Sequence, residues 1–436
     1  MSEKTWTDLD RDLPEWYRRA KFGIFIHWGA YSVPAWAEPI GALGEVEDGE
    51  YWFAHNPYAE WYGNTIRIAG SPAQAHHHEA YADAAYDDFL DAWRAERFAP
   101  QAWAALFARA GAEYVVPTTK HHDGITLWDA PGTGTRNTVH RGPRQDLVGV
   151  LAEAVRAEGM RFGVYYSGGL DWSVTDFPPH RTHPEVHSLR PNDVEYHDYA
   201  LAQVRDLIDR YHPDVLWNDI EWPDAGKHRG PGGLHEMFRD YFAAHPDGIV
   251  NDRWGDTYFD VATTEYSAGK ENEDKDVWEN NRGMGWSFGY NRLESPKEVL
   301  DPMRLAKHWV DLVSKGGRLL LNVGPTAEGD IPELQQRTLE GFGDWKRSIA
   351  EVAAVAERTV QEAGDDERWR RDWETPTERI VFLAEPGSYR IAAQGIDLDR
   401  ARVLSGDVRA ERDGADAVLR VDTVAQGPAA VAFTRV

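Results

Sequence analysis

Two acidic residues in this 436-residue chain stand where a pair of carboxylates could cleave a glycosidic bond. Asp219 closes an apolar run that starts at residue 215, and Glu265 closes a β-branched run that starts at residue 261. Arg253 ends a third such run. In a barrel of alternating strands and helices, strand ends of this kind line one shared pocket. Two acids that meet across a sugar-sized cleft are the minimum requirement for glycoside hydrolysis.

The orientation of Asp219 follows from the alternation of side chains along its predicted strand. Trp217 and Asp219 alternate with Asn218, so on a strand they share one face. If that face is the barrel lumen, an indole lies beside a carboxylate at the strand's end. Asp219 would then act as a nucleophile or charge stabiliser for an oxocarbenium-like transition state. The alternative is an aspartate that caps the following loop.

The other charged residues have similar pairs of interpretations. Glu265 could serve as general acid and then as general base, or it could be a salt-bridge residue at the surface. Arg253 could hold a carboxylate or a substrate hydroxyl, or it could be structural. Glu60, next to Trp61 in a long loop, adds a further carboxylate beside an indole.

Histidines also stand at strand ends. His27 ends the first candidate strand, and His121 and His122 end the second. A hydrolytic zinc site is an alternative, since barrel hydrolases draw such ligands from strand ends. The first strand lacks a His-x-His pair, and no histidine ends the middle strands. We therefore favour neutral imidazoles that bind sugar hydroxyls, because each offers one donor and one acceptor. Of Tyr165 and its neighbour at residue 166, only one should reach the lumen. We expect no metal and no cofactor.

The elements that must position these side chains alternate along the chain. Candidate strands are residues 22–28, 114–119, 161–167, 215–220, 248–254, 260–266, 286–290 and 318–323. Amphipathic helices are predicted for residues 100–110, 146–157, 196–211, 234–244, 302–314 and 332–352. The pattern predicts an α/β fold, a (β/α)₈ TIM-like barrel. The seventh strand rests on a short, glycine-flanked segment. The aromatic-rich stretch 29–97 should fold over the barrel mouth.

The end of the chain changes in character. Beyond residue 375, short alternating runs separated by glycine turns cover residues 379–383, 389–392, 417–421 and 430–434. They predict a small C-terminal antiparallel β-sandwich. We expect a catalytic barrel domain over residues 1–355 and the β-sandwich domain over residues 356–436.

Composition excludes several classes of partner. The net charge of −26 argues against nucleic acid or an anionic membrane, since both select a basic surface. The acidic, lysine-poor composition fits either adaptation to high salt or a GC-rich genome. No long apolar run predicts a membrane span, and there is no cysteine for disulfides. No secretory signal is visible, so a cytoplasmic location is the simplest expectation. A homo-oligomer is compatible with the sequence.

Six motifs in order along residues 15–350 carry a resemblance to a known family. They are KFGIFIHWG (21–29), TKHHDG (119–124), YYS (165–167), WND (217–219), NDRWG (251–255) and LLLNVGP (319–325). Together they strongly resemble glycoside hydrolase family 29, the retaining α-L-fucosidases. The resemblance implies that Asp219 is the nucleophile and Glu265 the acid/base of a double displacement. It implies fucose contacts for His27, Glu60, Trp61, His121, His122, Tyr165, Trp217 and Arg253, with a fucosylated glycoside as the substrate. One departure is Glu221, where the family often has glycine.

Two other functions compete with this interpretation. A related sugar such as α-L-galactose differs from fucose by one hydroxyl, and a polar niche at C6 would favour it. The chain could also be a carbohydrate-binding protein built on a catalytically decayed barrel. The retention of both carboxylates argues against the second alternative.

Overall fold

Eight parallel strands form the body of the protein in a computed structural model that describes residues 6–42, 44–266, 277–357, 359 and 368–436. They are β1 Phe22–Ile26, β2 Tyr114–Lys120, β3 Arg161–Ser167, β4 Val215–Asp219, β5 Ile249–Val250, β6 Ala262–Glu265, β7 Trp278–Gly283 and β8 Gly317–Val323. Their order in the sheet is β5-β4-β3-β2-β1-β8-β7-β6. A parallel bridge between Asn251 and Val261 joins the two edge strands. The sheet therefore curls into a (β/α)₈ barrel, as the sequence predicts.

Thirteen α-helices of the described residues surround this barrel or lie in its loops. They are α1 Glu15–Arg19, α2 Gly49–Ala54, α3 Tyr62–Thr65, α4 Pro72–Tyr81, α5 Tyr86–Ala92, α6 Pro100–Arg109, α7 Leu147–Ala157, α8 His183–Ser188, α9 Val194–Tyr211, α10 Leu234–Ala244, α11 Pro302–Ser314, α12 Glu333–Ser348 and α13 Ala350–Ala353. All six predicted helices are present. The last of them is split at Ile349 into α12 and α13.

Aspartates begin three of the outer helices. Asp146, Asp193 and Asp301 each accept a hydrogen bond from a backbone N–H in the first turn of α7, α9 and α11. Such a cap satisfies a donor that the helix itself leaves unpaired. The apolar faces that follow pack against the outside of the barrel, with Leu151 and Leu312 fully or almost fully buried.

The predicted seventh strand was wrong. Residues 286–290 form a loop, and the seventh strand is β7, with the sequence Trp-Glu-Asn-Asn-Arg-Gly. Both faces of β7 carry polar side chains, because Glu279 points into the lumen and Asn280 bonds outward to Thr264 and His308. A strand without an apolar face gives no alternation of hydrophobic residues to recognise.

Two antiparallel sheets pack on one another at the C-terminus. Their strands are β9 Arg370–Glu374, β10 Glu378–Leu383, β11 Gly387–Ala392, β12 Ile396–Ser405, β13 Asp407–Asp413, β14 Asp416–Thr423 and β15 Ala429–Arg435. One sheet has the order β12-β15-β10-β9 and the other β11-β14-β13. The four predicted strands correspond to β10, β11, β14 and β15. Trp373 of this β-sandwich packs edge-on against Trp309 of α11, 5.3 Å between ring centroids.

No helix among the described residues is long and apolar enough to cross a bilayer.

Candidate active site

A pocket of about 480 Å³ opens at the carboxyl ends of the barrel strands. All ten of the site residues predicted from the sequence lie on its wall: His27, Glu60, Trp61, His121, His122, Tyr165, Trp217, Asp219, Arg253 and Glu265. They come from the ends of six strands, β1 to β6, and from the loop after β1. Residues far apart in the chain therefore converge on one cavity at the barrel face where active sites lie.

One guanidinium joins the two candidate catalytic carboxylates. Arg253 donates from Nη1 to Asp219 Oδ1 at 2.8 Å and from Nη2 to Glu265 Oε2 at 3.1 Å. Burial opposes the charge of Arg253, but the two carboxylates outweigh it and raise the pKa of the guanidinium. Its Cζ also lies 4.8 Å from the centroid of the Trp217 ring, within the range of a cation–π contact. A single, always charged side chain therefore holds both acids side by side.

Asp219, the last residue of β4, is held from several sides. The Tyr165 hydroxyl donates to Oδ2 at 2.8 Å, and the backbone N–H of Ile220 donates to Oδ1 at 3.0 Å. His122 Nε2 lies 3.8 Å from Oδ2. The residue remains 8% exposed, on the pocket side. These donors fix the carboxylate and leave it open toward a substrate.

Two asparagines that the sequence analysis did not single out support Asp219 and Arg253. The Asn251 side chain holds the backbone of Asn218 at both of its polar groups, because Oδ1 accepts from the Asn218 N–H at 3.0 Å and Nδ2 donates to the Asn218 carbonyl at 2.9 Å. Asn218 Nδ2 also donates to the carbonyl oxygens of Glu221 and Arg253. The loops that carry the candidate nucleophile and its arginine are thereby tied together. The signal was available, because both asparagines belong to the WND and NDRWG motifs.

Glu265 ends β6 and receives a hydrogen bond from a residue of the loop after β1. The Tyr58 hydroxyl donates to Glu265 Oε1 at 3.0 Å. Tyr58 was missed, because it lies in a loop segment with no periodic pattern. Asn281, the register partner of Glu265 on β7, is only 2% exposed and lines the pocket beside it. It was missed together with its strand.

The hydrogen bonds around His27 fix its tautomer. Asn322 Nδ2 donates to the carbonyl of Phe288, which turns Asn322 Oδ1 toward His27 Nδ1 at 2.7 Å. Nδ1 must then carry the proton, and Nε2 is an acceptor. Burial lowers the pKa of His27 to about 4, so the ring is neutral at neutral pH.

The same logic applies to His122. The Ser167 hydroxyl donates to the carbonyl of Leu170 at 2.7 Å and accepts from His122 Nδ1 at 2.7 Å. Nε2 of His122 is therefore an acceptor as well. Burial lowers the pKa values of His122 and His121 well below the usual range. Neutral imidazoles of this kind suit sugar hydroxyls, which donate to Nε2.

Glu60 is buried in the pocket wall. Its Oε2 accepts from the backbone N–H of Gly289 at 2.7 Å and from Ser287 Oγ at 3.3 Å. Burial raises the pKa of Glu60 to about 8, against the weaker opposing effect of these bonds. At neutral pH the side chain is thus mostly a neutral acid that can donate a hydrogen bond. Trp61, its neighbour, packs edge-on against His122 at 5.1 Å.

An aromatic niche closes the inner end of the pocket. Phe25 packs 4.9 Å from Trp217 and 5.7 Å from Tyr165, centroid to centroid. Phe288 lies 5.0 Å from His27 on the other side. The sequence placed Phe288 in a strand, whereas the structure puts it in the loop after β7, with its ring in the pocket wall. The niche offers an apolar surface to one edge of a bound sugar.

Below the niche, the barrel floor holds Trp217 from the opposite side. Its indole N–H donates to Glu279 Oε1 at 3.0 Å. Glu279 Oε2 accepts from the hydroxyls of Tyr17 and Tyr114 at 2.9 and 2.6 Å. Burial raises the pKa of Glu279, and the three donors and the positive charge of Arg318 oppose that rise. The floor is closed by side chains and offers no continuation of the pocket.

Within the described part of the chain, no group of three or more His, Cys, Asp or Glu side chains has the arrangement of a metal site. Of the three histidines predicted for the site, His27 and His122 each use one ring nitrogen on a protein partner, as shown above. The arrangement instead resembles sugar recognition: acceptors, one neutral acid, aromatic faces and two adjacent carboxylates.

Paired carboxylates over an aromatic pocket at the carboxyl ends of the strands define a (β/α)₈-barrel glycoside hydrolase. The family model described as alpha-L-fucosidase matches residues 1–351. The alpha-L-fucosidase of Dictyostelium discoideum is 32% identical over 352 residues, 78% of this chain and 71% of that protein. The tissue alpha-L-fucosidase of Homo sapiens is 32% identical over 396 residues, 87% of this chain and 75% of that protein.

A solved structure extends the similarity to the fold. The alpha-fucosidase of Thermotoga maritima in complex with fucose is 40% identical, covers 99% of this chain and 100% of its own, and superposes with a TM-score of 0.86. The chain belongs to the α-L-fucosidase family and is a glycoside hydrolase of that family.

Proposed function

We propose that this enzyme removes terminal α-L-fucose from fucosides by double displacement, with Asp219 as nucleophile and Glu265 as acid/base. The observation that carries the proposal is the single guanidinium of Arg253, which bonds to both carboxylates. Retention needs the two carboxyl groups about 5–5.5 Å apart, whereas inversion needs room for a water between them. Two carboxylates on the two terminal nitrogens of one guanidinium are neighbours, which supports retention.

In the first step, Asp219 attacks the anomeric carbon while Glu265 protonates the departing oxygen. Arg253 and Tyr165 hold Asp219 in place, so little reorganisation is needed as its charge passes into the new bond. In the second step, Glu265 removes a proton from water, and the water attacks the anomeric carbon. The bond between the anomeric carbon and Asp219 breaks, which releases the sugar. The sugar leaves with its original configuration, because two inversions have taken place.

The pocket favours fucose through its shape and polarity. Hydroxyls can donate to Nε2 of His27 and of His122, and the neutral acid Glu60 can donate in return. The 6-deoxy methyl group suits the niche of Phe25, Trp217 and Phe288, where a galactose hydroxymethyl would lose its hydrogen bonds to water. The closed floor admits only a terminal residue, which supports exo action.

The test is hydrolysis of 4-nitrophenyl α-L-fucoside and of the matching α-L-galactoside, with proton NMR of the first sugar released. We expect the fucoside to be preferred by about tenfold or more in kcat/KM, and α-L-fucose to appear before its β-anomer. A β-anomer that forms first would contradict retention. Preference for the galactoside would favour the alternative sugar. Sugar binding without hydrolysis of either substrate would favour a decayed binding protein.

A further inference from the structure

The pocket continues outward beyond the residues that surround the proposed fucose site. Further lining residues belong to α8, to residues 220–221 and to the loop that holds Asp252, Gly255 and Asp256. The volume of about 480 Å³ falls in the range of roughly 300–1,000 Å³ that holds drug-sized ligands, which are larger than one deoxyhexose. Because Glu265 must contact the glycosidic oxygen, the group that leaves has to extend into this outer half.

The outer wall begins with an unusual turn directly after Asp219. Ile220 and Glu221 have φ values of 58° and 71°, in the left-handed region. A β-branched residue is rarely found there, and such conformations persist only where surrounding contacts enforce them. The turn directs Glu221 onto the wall of the pocket.

Two cations hold the Glu221 side chain by one of its oxygens. Lys227 Nζ and Arg190 Nη2 donate to Glu221 Oε2 at 2.6 and 2.9 Å. Gly255, at φ 83°, faces this contact, and a Cβ there would lie 2.7 Å from Lys227 Nζ. Among the described residues no donor bonds to Glu221 Oε1, and the side chain is about one third exposed. One oxygen of this pocket-lining carboxylate is thus fixed by two cations, and the other remains available to accept.

Aromatic side chains line the same pocket near α8. His183 of α8 lies nearly parallel to Trp52, 6.1 Å between ring centroids, and edge-on to Phe53 at 5.4 Å. Burial lowers the pKa of His183, so its ring is neutral at neutral pH. Aromatic side chains and a fixed acceptor in one pocket suit a sugar, which has apolar faces and hydroxyl edges.

We propose that this outer half is the subsite for the leaving group, and that Glu221 selects a neutral sugar there. The proposal rests on the proposed fucosidase function. Glu221 Oε1 would accept a hydrogen bond from a hydroxyl of the leaving sugar. A uronate or sulfated sugar would be rejected, because Asp252 and Asp256 also line this part of the pocket and add negative charge.

The test compares Glu221→Gln with Asp224→Asn. Asp224 is a matched control, because it pairs with the same Lys227 and Arg190, at 2.7 and 3.0 Å, but does not line the pocket. The substrates are a fucosyl-galactose of the linkage that the wild type cleaves fastest, the same disaccharide with the galactose oxidised to galacturonate, and 4-nitrophenyl α-L-fucoside.

We expect the wild type to prefer the neutral disaccharide over the galacturonate by about tenfold or more in kcat/KM. Glu221→Gln should reduce this preference about tenfold, and Asp224→Asn should leave it unchanged. Inhibition by free fucose, which fills only the inner half, should be equal in all three proteins.

Three results would overturn the subsite. Asp224→Asn could change the preference as much as Glu221→Gln, which would mean a structural role for the salt bridges. The preference could be unchanged in Glu221→Gln. The wild type could cleave the nitrophenyl fucoside but no fucosyl-galactose of any linkage. A wild type that cleaves none of these fucosides would instead contradict the proposed function itself.

Discussion

The floor and the mouth of the barrel lumen both hold buried carboxylates beside an arginine, but the hydrogen bonds around these carboxylates differ. At the floor, Glu279 receives three hydrogen bonds, from Tyr17, Tyr114 and Trp217, and is 2% exposed. All of these donors are protein groups. The floor carboxylate is therefore fully occupied by the fold and has no free side for a ligand.

At the mouth, the donors do not enclose the carboxylate. Asp219 accepts hydrogen bonds from Arg253 and Tyr165, yet it lines the pocket and remains 8% exposed. Trp217 connects the two ends, because its N–H bonds to the floor and its ring lies below Arg253. We expect the reactivity of Asp219 to depend on donors that orient its carboxylate without enclosing it. Four substitutions test this difference between mouth and floor.

The largest effect is expected for Asp219→Ala. Loss of the proposed nucleophile should lower kcat/KM on 4-nitrophenyl α-L-fucoside by on the order of 10⁴-fold or more. Glu279→Gln, the floor control, should stay within about tenfold of the wild type, since it contacts only protein groups. Similar losses in the two variants would contradict the division of roles between mouth and floor.

Glu265→Ala should show a loss that depends on the leaving group. We expect kcat/KM to fall by about 10²–10⁴-fold on an unactivated fucosyl disaccharide, which needs protonation of its leaving oxygen. The loss should be much smaller on 4-nitrophenyl α-L-fucoside. Azide should restore turnover and give a fucosyl azide of the substrate's own anomeric configuration, detected by NMR. An equal loss on both substrates without rescue would argue against the acid/base role.

The barrel could be predicted from the sequence wherever burial leaves a pattern. Strands β1 and β8 are buried along their whole length and read as apolar runs. Strand β7 was missed, because Glu279 and Asn281 are used by the floor and the pocket instead of a hydrophobic core. In the β-sandwich, β9, β12 and β13 were missed, since most of their side chains are half-buried or exposed.

The site was predictable where strand order alone brings residues together. Asp219, Glu265 and Arg253 follow strands directly, and parallel strands in a barrel end at one face. Tyr58 and Phe288 could not be found in this way, because the path of a loop depends on tertiary contacts that no local pattern encodes. The tautomers of the histidines likewise depend on Asn322 and Ser167, whose side chains meet them only in the fold.

Glu279→Gln should act on stability instead of catalysis. The glutamine side chain has only one acceptor oxygen, so one of the donors that meet at Glu279 loses its acceptor. Arg318 also loses a nearby negative charge. We expect the free energy of unfolding to fall by about 1–3 kcal/mol, measured by urea titration. Glu333→Gln, which removes an exposed carboxylate paired with Arg337 on α12, is the control and should cause no measurable change. A floor variant as stable as this control would contradict a structural role.

The last substitution concerns Glu60, whose pKa is raised to about 8 by burial from a value of 4.5 for the exposed group. Between these pH values the folded protein keeps the proton that the unfolded chain releases. Stability should therefore fall as pH rises from about 4.5 to about 8, by up to about 1.4 kcal/mol per pH unit.

Glu60→Gln resembles the protonated acid, because its amide oxygen can still accept from Gly289 and Ser287. The free energy of unfolding of this variant should lack the part of the pH dependence that comes from Glu60. Urea titrations from pH 5 to pH 9 measure the difference in free energy of unfolding between the wild type and Glu60→Gln. The contributions of all other titrating groups are the same in both proteins and cancel in this difference. A difference that stays constant over this range would mean that Glu60 is ionised in its buried position, and that the mouth of the barrel, unlike its floor, tolerates a third negative charge.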